Sequence, residues 1–269
     1  MSRRPSARAR ALLGAYALAA RELKRFIRQR NRVFGALVQP ILFWALFGAG
    51  LNASFKPSTG ARAMSYTEYF FPGTIVLILL FTAIFATISV IEDRNEGFLQ
   101  SVLAAPIPSS ALVIGKLAGA TALAVGQAVL FLPMAFIAGV HLTALSFALA
   151  VPLLAVIAFS LTGLGFIIAW RLDSTQGFHA IMNAFLMPMW LLSGAFFPSH
   201  GVPTVLAWII ALNPLTYGVT ALRRILYIGR PEAVSDLPNM SLSLTVVVLF
   251  AMAMFAAAYR SVRATGGRR

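Results

Sequence analysis

The sequence predicts an all-α, polytopic membrane protein with six transmembrane helices, an N-terminal interfacial amphipathic helix and a re-entrant external hairpin between spans five and six. The chain of 269 residues is 59% hydrophobic and only 11% charged, which is more apolar surface than a soluble domain can bury. Six apolar stretches each approach or exceed the roughly 20 residues that cross a bilayer. Ten of the 22 basic residues lie within the first 32 positions, on one side of the first apolar stretch.

Residues 1–32 predict a cytoplasmic tail followed by a helix in the plane of the membrane interface. At about 100° per residue, one face of this helix is apolar. That face holds Leu12, Tyr16, Ala19, Leu23, Phe26 and Ile27. The opposite face is basic and is expected to meet water and anionic head groups. It holds Arg21, Lys24, Arg25, Arg28 and Arg32. A merely solvated helix is the alternative. A signal peptide is not expected, because this charged helix stands where a short apolar core would be.

The whole chain, 1–269, is expected to form one membrane domain. The predicted spans lie at about 33–51, 72–91, 112–140, 145–170, 177–197 and 242–259. Gln39-Pro40 is expected to kink the first span. Lys116 is expected to reach toward the cytoplasmic interface, because the third span is longer than the bilayer requires. Gly163 and Gly165 mark a packing site in the fourth span, and Gly115 with Gly119 forms a small-x3-small pair in the third.

The polar stretch 92–110, between spans two and three, predicts a helix that contacts a partner in the cytoplasm. Glu92, Asp93, Arg94 and Glu96 mark the exit from the membrane, because charges are costly in lipid. Gly97 then opens a short helix that Pro106 and Pro108 end. Its apolar face holds Phe98, Leu99, Val102 and Leu103.

Residues 198–228 predict a re-entrant external hairpin. The apolar run from Pro203 to Leu212 is too short to span, and Asn213-Pro214 separates it from a second short run that ends at Arg223. With six spans and both termini inside, 17 of the 22 basic residues are cytoplasmic and five are external. A seventh span would place the four terminal arginines outside, against the positive-inside rule.

Several chemistries are disfavoured by the composition. The absence of Cys excludes disulfides and thiol nucleophiles. His141, His179 and His200 are far apart, and Ser193-Gly194 is not a nucleophile elbow. Gly115-Lys116 lacks the hydroxyl and the upstream glycine of a P-loop. No catalytic, metal or cofactor site is therefore predicted. The net charge of +14 is attributed to membrane orientation, so nucleic acid is not an expected partner.

Two groups of residues resemble a known family, the type-2 ABC transporter permeases, which include drug-efflux, nodulation-factor and polysaccharide-export permeases. The first group looks like the family's first cytoplasmic loop and comprises Glu92-Asp93-Arg94-Asn95-Glu96-Gly97, Leu103, Pro106, Ile107 and Gly115-Lys116. The second is similar to the end of span five and the external hairpin and comprises Leu192-Ser193-Gly194, Pro198, Asn213-Pro214-Leu215-Thr216-Tyr217 and Arg223. Phe98 departs from the pattern, because many members carry Thr there.

The resemblance implies a half-transporter in the bacterial inner membrane, with both termini cytoplasmic, two permease chains and two separate ATP-binding subunits. It implies that the loop helix couples the permease to the ATPase. The coupling residues would be Glu92, Glu96, Gly97, Phe98, Leu99, Val102, Leu103 and Pro106. The hairpin would form an outer gate with Asn213, Pro214, Tyr217 and Arg223. Spans two and five would line the path, and their aromatic residues Phe81, Phe85, Phe185 and Phe196 would suit a lipid-like or drug-like cargo unless they simply face lipid.

An export permease that moves a drug-like, lipid-like or glycoconjugate substrate is therefore the expected function. An ion-coupled secondary carrier is an alternative that would show an inverted repeat and a buried ion-binding acid. A membrane-embedded enzyme is a second alternative, which would need polar residues that converge in mid-membrane. The candidates for such a site, Gln39, Gln127 and Asn183, are scattered along the sequence.

Overall fold

The computed structural model describes residues 6–55, 64–105, 107–198 and 202–266, is 85% helical and has no strand among them. The helices are α1 (Ala7–Arg28), α2 (Arg30–Leu51), α3 (Tyr66–Asn95), α4 (Phe98–Ala104), α5 (Ser109–Phe131), α6 (Ala135–Ala138), α7 (Ala144–Arg171), α8 (Thr175–Trp190), α9 (Thr204–Leu212), α10 (Pro214–Leu226) and α11 (Met240–Gly266). A 3-10 turn joins α5 to α6, and a π-helical turn, Leu191–Ala195, extends α8. Six helical segments of the described part are long and apolar enough to cross a membrane, which confirms the predicted number of spans.

Helix α3 is the centre of the bundle. Its most apolar 18-residue stretch is 94% buried, whereas the corresponding values are 22% in α2 and 17% in α11. It packs against α2, α5, α7, α8 and α10, so apolar side chains cover it on all sides. It begins at Tyr66, capped by Ser65, six residues before the predicted start at Pro72. At 1.5 Å per residue, its 30 residues span about 45 Å, from the end that carries α9 and α10 (the hairpin end) to the end that carries α4 (the α4 end).

The small residues singled out in the sequence are sites of close helix packing. A Cβ atom on Gly163 would lie 2.9 Å from Cβ of Met254 in α11, and one on Gly165 would lie 2.7 Å from Oγ1 of Thr87 in α3. These distances are shorter than real Cβ contacts, so only glycine lets α7 approach both neighbours this closely. Gly115 and Gly119 serve the same purpose between α5 and α1.

Helix α1 packs along α5, and its predicted apolar face is divided. Phe26 is 4% exposed and belongs to the core, whereas four other members of that face are exposed. These are Leu12, Tyr16, Leu23 and Ile27. The side that faces α5 includes Leu18 and Glu22, each buried, and neither was assigned to it from the sequence. The helix therefore has three faces: one toward the bundle, one apolar and exposed, and one basic. A two-face pattern could not represent this arrangement.

Two predictions about the cations at this end are wrong. Lys116 does not reach outward: it is 4% exposed and lies among acidic side chains of α1 and α3. Arg21, Arg25 and Arg32 also do not simply face water, because each forms an ion pair with an acid of α3. The physical reason is the approach of α1 to α5, which places these cations against the acids at the end of α3.

The predicted break in the hairpin is present at Asn213. Helices α9 and α10 meet there at an angle of 77°, and neither is long enough to cross a membrane alone. The bend is typical of a re-entrant segment or of a broken span, and counting the pair as one span would raise the number to seven. The external position of this hairpin stays a prediction.

Candidate functional site

The predicted coupling helix exists as α4, and its apolar face lies against the chain's own bundle. Gly97 precedes it with φ of +76°, a left-handed conformation that favours glycine. Leu99 is only 3% exposed, while Phe98, Val102 and Leu103 are half-buried against the core. Apolar side chains at the end of a bundle gain free energy by this burial, so part of this face is already covered by the chain's own core, and its role in coupling stays a prediction. Pro106, the predicted end of this helix, lies outside the described residues.

The free side of α4 is polar and small. Gln100, Ser101 and Ala104 are exposed, and Glu96 is exposed in the turn that precedes the helix. Any partner that approaches α4 meets these residues first, together with the half-exposed edges of Phe98 and Val102.

A buried ionic cluster lies directly beneath α4. The carboxylate of Asp93 is fully buried and accepts hydrogen bonds from Arg21 (2.7 and 2.9 Å), from Arg25 (2.6 Å) and from Lys116. Glu22 is 4% exposed and accepts from Nζ of Lys116 and from the Ser89 hydroxyl, both at 2.6 Å. Helices α1, α3 and α5 therefore meet in one network. We call this set, together with Glu92, Glu96 and Arg32, the ionic cluster.

The two glutamates assigned to coupling are also engaged within the chain. Glu92 accepts a hydrogen bond from Arg25 at 2.8 Å and pairs with Arg32. Glu96 lies 3.3 Å from Arg25 and is more exposed. Glu92 thus ties the end of α3 to α1 and to the start of α2, and Glu96 ties the turn after α3 to α1.

Arg21 connects this network to α4 itself. Its guanidinium forms two hydrogen bonds with Asp93 and lies 3.7 Å from the centre of the Phe98 ring. Burial opposes the charge on Arg21, but the hydrogen bond and charge of Asp93, with the charges of Glu22 and Glu96, outweigh it and raise the pKa of Arg21. Arg21 is therefore a fixed cation between α1, α3 and α4.

A second contact ties the same end to the turn between α7 and α8. Arg94 pairs with Asp173 at 2.9 Å and donates to the carbonyl oxygens of Leu172 (3.2 Å) and Trp170. The segment that carries α4 is thus linked to α1 on one side and to α7 and α8 on the other.

At the hairpin end, Asn213 and Tyr217 hold the bend. Asn213 caps α10 by accepting from the Leu215 amide at 3.0 Å, and its Nδ2 donates to the carbonyl of Met189 at 2.6 Å. Tyr217 donates to the carbonyl of Ala211 across the bend at 2.9 Å. Pro214 is the first residue of α10, where its missing amide hydrogen costs no helical bond.

Arg223 is buried beneath the hairpin and has no acidic partner within 4.0 Å among the described residues. Its Nη2 donates to the carbonyl oxygens of Tyr69 and Gly194, each at 3.2 Å. Its Cζ lies 4.1 Å from the centre of the Tyr69 ring. Its Nε is buried and has no hydrogen-bond partner.

A cavity of about 590 Å³ opens beside Arg223. Its lining includes Arg223, Tyr69, Thr216, Tyr217 and Thr220. Three of the four predicted gate residues therefore lie in or next to the cavity. Tyr217 and Arg223 are in its wall, and Asn213 is at the adjoining bend. Its volume is within the range of ligand sites in proteins.

The four aromatic residues predicted to line a path do not form one surface. Phe81 is 6% exposed inside the bundle. Phe85 lies beside Gly35 of α2, where an added Cβ atom would be 3.6 Å from its ring, and 6.0 Å from the His179 ring of α8. Phe185 is 54% exposed on α8. Phe196 packs edge-on against Phe47 and Phe70 in an aromatic cluster at the hairpin end.

Sequence reasoning missed Glu22, Ser89 and Tyr69 as partners of the residues that it selected. For Glu22 a signal existed, because it is the only acidic residue among the first 67 and stands in a run of basic residues. Tyr69 and Ser89 carry no such signal, because Tyr69 lies in the predicted loop before the second span and Ser89 looks like an ordinary residue of that span.

The fold and the site together define a class: a multi-pass helical membrane protein with a short, ion-paired loop helix at one end and a cavity-forming bent helix pair at the other. Residues 14–227 match the family described as ABC-2 type transporter, and the chain belongs to that family. Membership makes it a transmembrane permease of an ABC transporter and implies a partnership with an ATP-binding subunit.

Similar proteins agree with this assignment. The chain is 26% identical to nodulation protein J of Rhizobium leguminosarum bv. viciae, over 83% of each chain. It is 26% identical to the ycf38 transport permease of Cyanophora paradoxa, over 74% of this chain and 70% of that one. It is 28% identical to the YbhR multidrug ABC transporter permease of Escherichia coli K12, over 57% of this chain and 42% of that one.

Proposed function

We propose that this chain is the permease subunit of an ATP-driven exporter in a bacterial inner membrane, which moves a drug-like, lipid-like or glycoconjugate substrate out of the cytoplasm. Similarity to proteins named nodulation protein J and multidrug permease supports an export role. The sequence has no P-loop, so the energy must reach the permease through a protein contact with a separate ATP-binding subunit.

The ionic cluster beneath α4 is the observation that carries this proposal. A helix of seven residues has little stability alone, yet α4 contacts α1 through Arg21. The end of α3 that leads into it is fixed to the turn between α7 and α8 through Arg94. The ATP-binding subunit contacts the free side of α4, at Gln100, Ser101 and Ala104. A displacement of α4 is then passed to α1 through the contact of Arg21 with Phe98, and to α7 and α8 through the ion pair at the adjoining end of α3, rather than lost in a flexible loop.

A second permease chain is expected to cover the face formed by α2 and α8. Gln39 lies near the middle of α2 and Asn183 near the middle of α8, and both are exposed. Amide side chains that face lipid lose their hydrogen bonds, so these positions favour a protein partner or a polar path. Helix α3, which is span two, is largely buried within the chain. We therefore assign the path to α2 (span one) and α8 (span five), with Phe185 of α8 and the half-buried Phe85 of α3 on it, rather than to spans two and five.

The hairpin at the opposite end acts as the outer gate. Asn213 and Tyr217 define its bend, and Arg223 anchors α10 to the start of α3 and to the π-helical turn. A movement of α8 would reach the hairpin directly, because Asn213 bonds the backbone of α8 at Met189.

The proposal is tested by placing a charge on the free side of α4. The tagged chain is purified from its native host with its ATP-binding subunit and reconstituted in liposomes. Ala104→Glu should leave the chain folded while substrate-stimulated ATP hydrolysis falls at least fivefold, because a carboxylate must be desolvated at the contact. Ala17→Glu makes the same change at an exposed position of α1 and serves as the control.

Wild-type hydrolysis and unchanged co-purification in the Ala104→Glu variant would show that α4 is not the contact. Light scattering of the same complex gives its composition, and a complex with a single permease chain would contradict the assignment of the α2–α8 face.

A further inference from the structure

We infer that the cavity beside Arg223 is a binding site for an anionic amphiphile, with a phosphate or carboxylate head group on Arg223 and an apolar part against the hairpin. The inference does not rest on the proposed function, because it concerns binding to this chain alone.

The first argument is the unbalanced charge of Arg223. A guanidinium has five N–H donors and is always protonated in proteins. Nη2 of Arg223 bonds two carbonyl oxygens, while neither Nε nor Nη1 donates to any described residue. Buried cations are normally paired, and a buried donor without a partner destabilises the protein. An oxyanion would satisfy both the charge and the remaining donors.

The acids near the cavity do not supply this partner. Glu68 pairs with Arg230 at 2.6 Å. Glu232 and Asp236 also line the cavity, but they are exposed and neither lies within 4.0 Å of Arg223. None of these acids pairs with Arg223, so its guanidinium remains available for a ligand.

The second argument is the shape and chemistry of the cavity. Its volume of about 590 Å³ exceeds that of a phosphate ion several times over, so a head group alone would leave most of it unfilled. The lining is mixed. Beside polar residues such as Thr216, Thr220 and Arg230 it includes the apolar residues Phe55, Met64, Ala207, Ile210, Ala211 and Leu237. A cavity that combines the buried cation of Arg223 with these apolar side chains is complementary to an acyl or other apolar group that carries a single anionic head.

The third argument is that Arg223 is held in position before any ligand binds. The ring of Tyr69 lies against its guanidinium, and the Tyr69 hydroxyl donates to the Gly194 carbonyl at 2.7 Å. That carbonyl in turn accepts from Arg223, at a glycine with φ of +72°. A preorganised cation binds an anion without further loss of side-chain freedom.

Binding is measured on the purified chain in neutral phosphatidylcholine nanodiscs, with dihexanoyl phosphatidate as the probe and dihexanoyl glycerol as its uncharged match. We expect saturable binding of the phosphatidate only. Arg223→Gln keeps a donor for the Tyr69 and Gly194 carbonyls and should weaken binding at least tenfold. Inorganic phosphate should compete, but at a concentration at least tenfold higher than the phosphatidate requires.

A second pair of variants keeps the test independent of Arg223. Ala211→Phe fills the apolar side of the cavity from an exposed position and should also weaken binding tenfold. Leu212→Phe makes a similar addition one residue away, at a side chain that is 80% exposed and does not line the cavity, and should bind like the wild type. If Arg223→Gln does not fold, the difference in binding between Ala211→Phe and Leu212→Phe tests the inference.

The inference is wrong if the wild type shows no saturable binding, or if folded Arg223→Gln and Ala211→Phe both bind as tightly as the wild type. Equal affinity for inorganic phosphate would overturn the assignment to an amphiphile. Mass spectrometry of the lipids that co-purify with the chain distinguishes whether the bound anion is a membrane lipid or comes from outside the bilayer. An anionic lipid held by the wild type and lost in Ala211→Phe supports a membrane lipid as the occupant, and phosphatidate binding without such a lipid supports an anion delivered from outside the bilayer.

Discussion

Single residues at the α4 end show how charge is tolerated next to a membrane bundle. Four acids and four cations share the ionic cluster, and each acid contacts at least one cation. Such a cluster has little net charge, but each member depends on the others because a buried ion cannot recover its hydration. Removal of one member should therefore cost far more than its own hydrogen bonds.

Lys116→Met tests this dependence. The change leaves Glu22 and Asp93 buried with less positive charge, and we expect a loss of about 3–5 kcal/mol in the free energy of unfolding. Adding Glu22→Gln should recover part of that loss, because it removes the uncompensated carboxylate. Lys24→Met, an exposed lysine on α1, is the matched control. A wild-type melting temperature for Lys116→Met in detergent would contradict a stabilising role of the buried lysine.

The partners of Lys116 could not be predicted from its own surroundings in the sequence. Its apolar neighbours in α5 and its place near a membrane boundary favoured an outward position. Its actual partners are 23 and 94 residues away, and only the approach of α1 brings Glu22 to it. For Arg223 the resemblance to the family selected the residue itself. That it lacks an acidic partner among the described residues could be seen only in the three-dimensional structure.

At the scale of elements, the close packing of α1 on α5 positions the ionic cluster. A Cβ on Gly115 would lie 2.7 Å from the carbonyl oxygen of Ala15, and one on Gly119 would lie 2.9 Å from that of Ala19. The small-x3-small pattern correctly indicated a packing site. It did not indicate the partner, because such a pattern accepts any helix with a small surface.

Gly119→Leu should separate α1 from α5. The new side chain would collide with backbone atoms of α1, which cannot rotate away as a flexible side chain does. We expect a lower melting temperature and faster tryptic cleavage of α1 at its exposed Lys24 and Arg28. Gly126→Leu provides the control on the same helix, because a Cβ there would meet nothing within 4 Å. Equal cleavage of the two variants would mean that α1 is held by something other than this contact.

At the scale of the whole molecule, the distribution of acids distinguishes a permease from an ion-coupled carrier. Five of the eight acidic residues lie at the α4 end, and the remaining three lie at the hairpin end. All eight are in the described part of the chain, and none is near the middle of a span. An ion-coupled carrier would be expected to hold a carboxylate near mid-membrane.

The number of spans could be predicted from hydropathy alone. The central position of α3 could not, because it depends on the packing of five other helices around it.

The orientation of the bundle is the last prediction. The six-span topology predicted from the sequence assigns 17 of the 22 basic residues to the α4 side of the membrane, which should be cytoplasmic because positive flanks stay inside during insertion. The chain has no Cys, so Ser235→Cys and Ser101→Cys each introduce one reactive thiol at an exposed serine at opposite ends. In intact bacterial cells, an impermeant maleimide should label Ser235→Cys at least tenfold faster than Ser101→Cys, and permeabilisation should remove the difference. Preferential labelling of Ser101→Cys in intact cells would reverse the orientation, and it would place α4 out of reach of any cytoplasmic ATP-binding subunit.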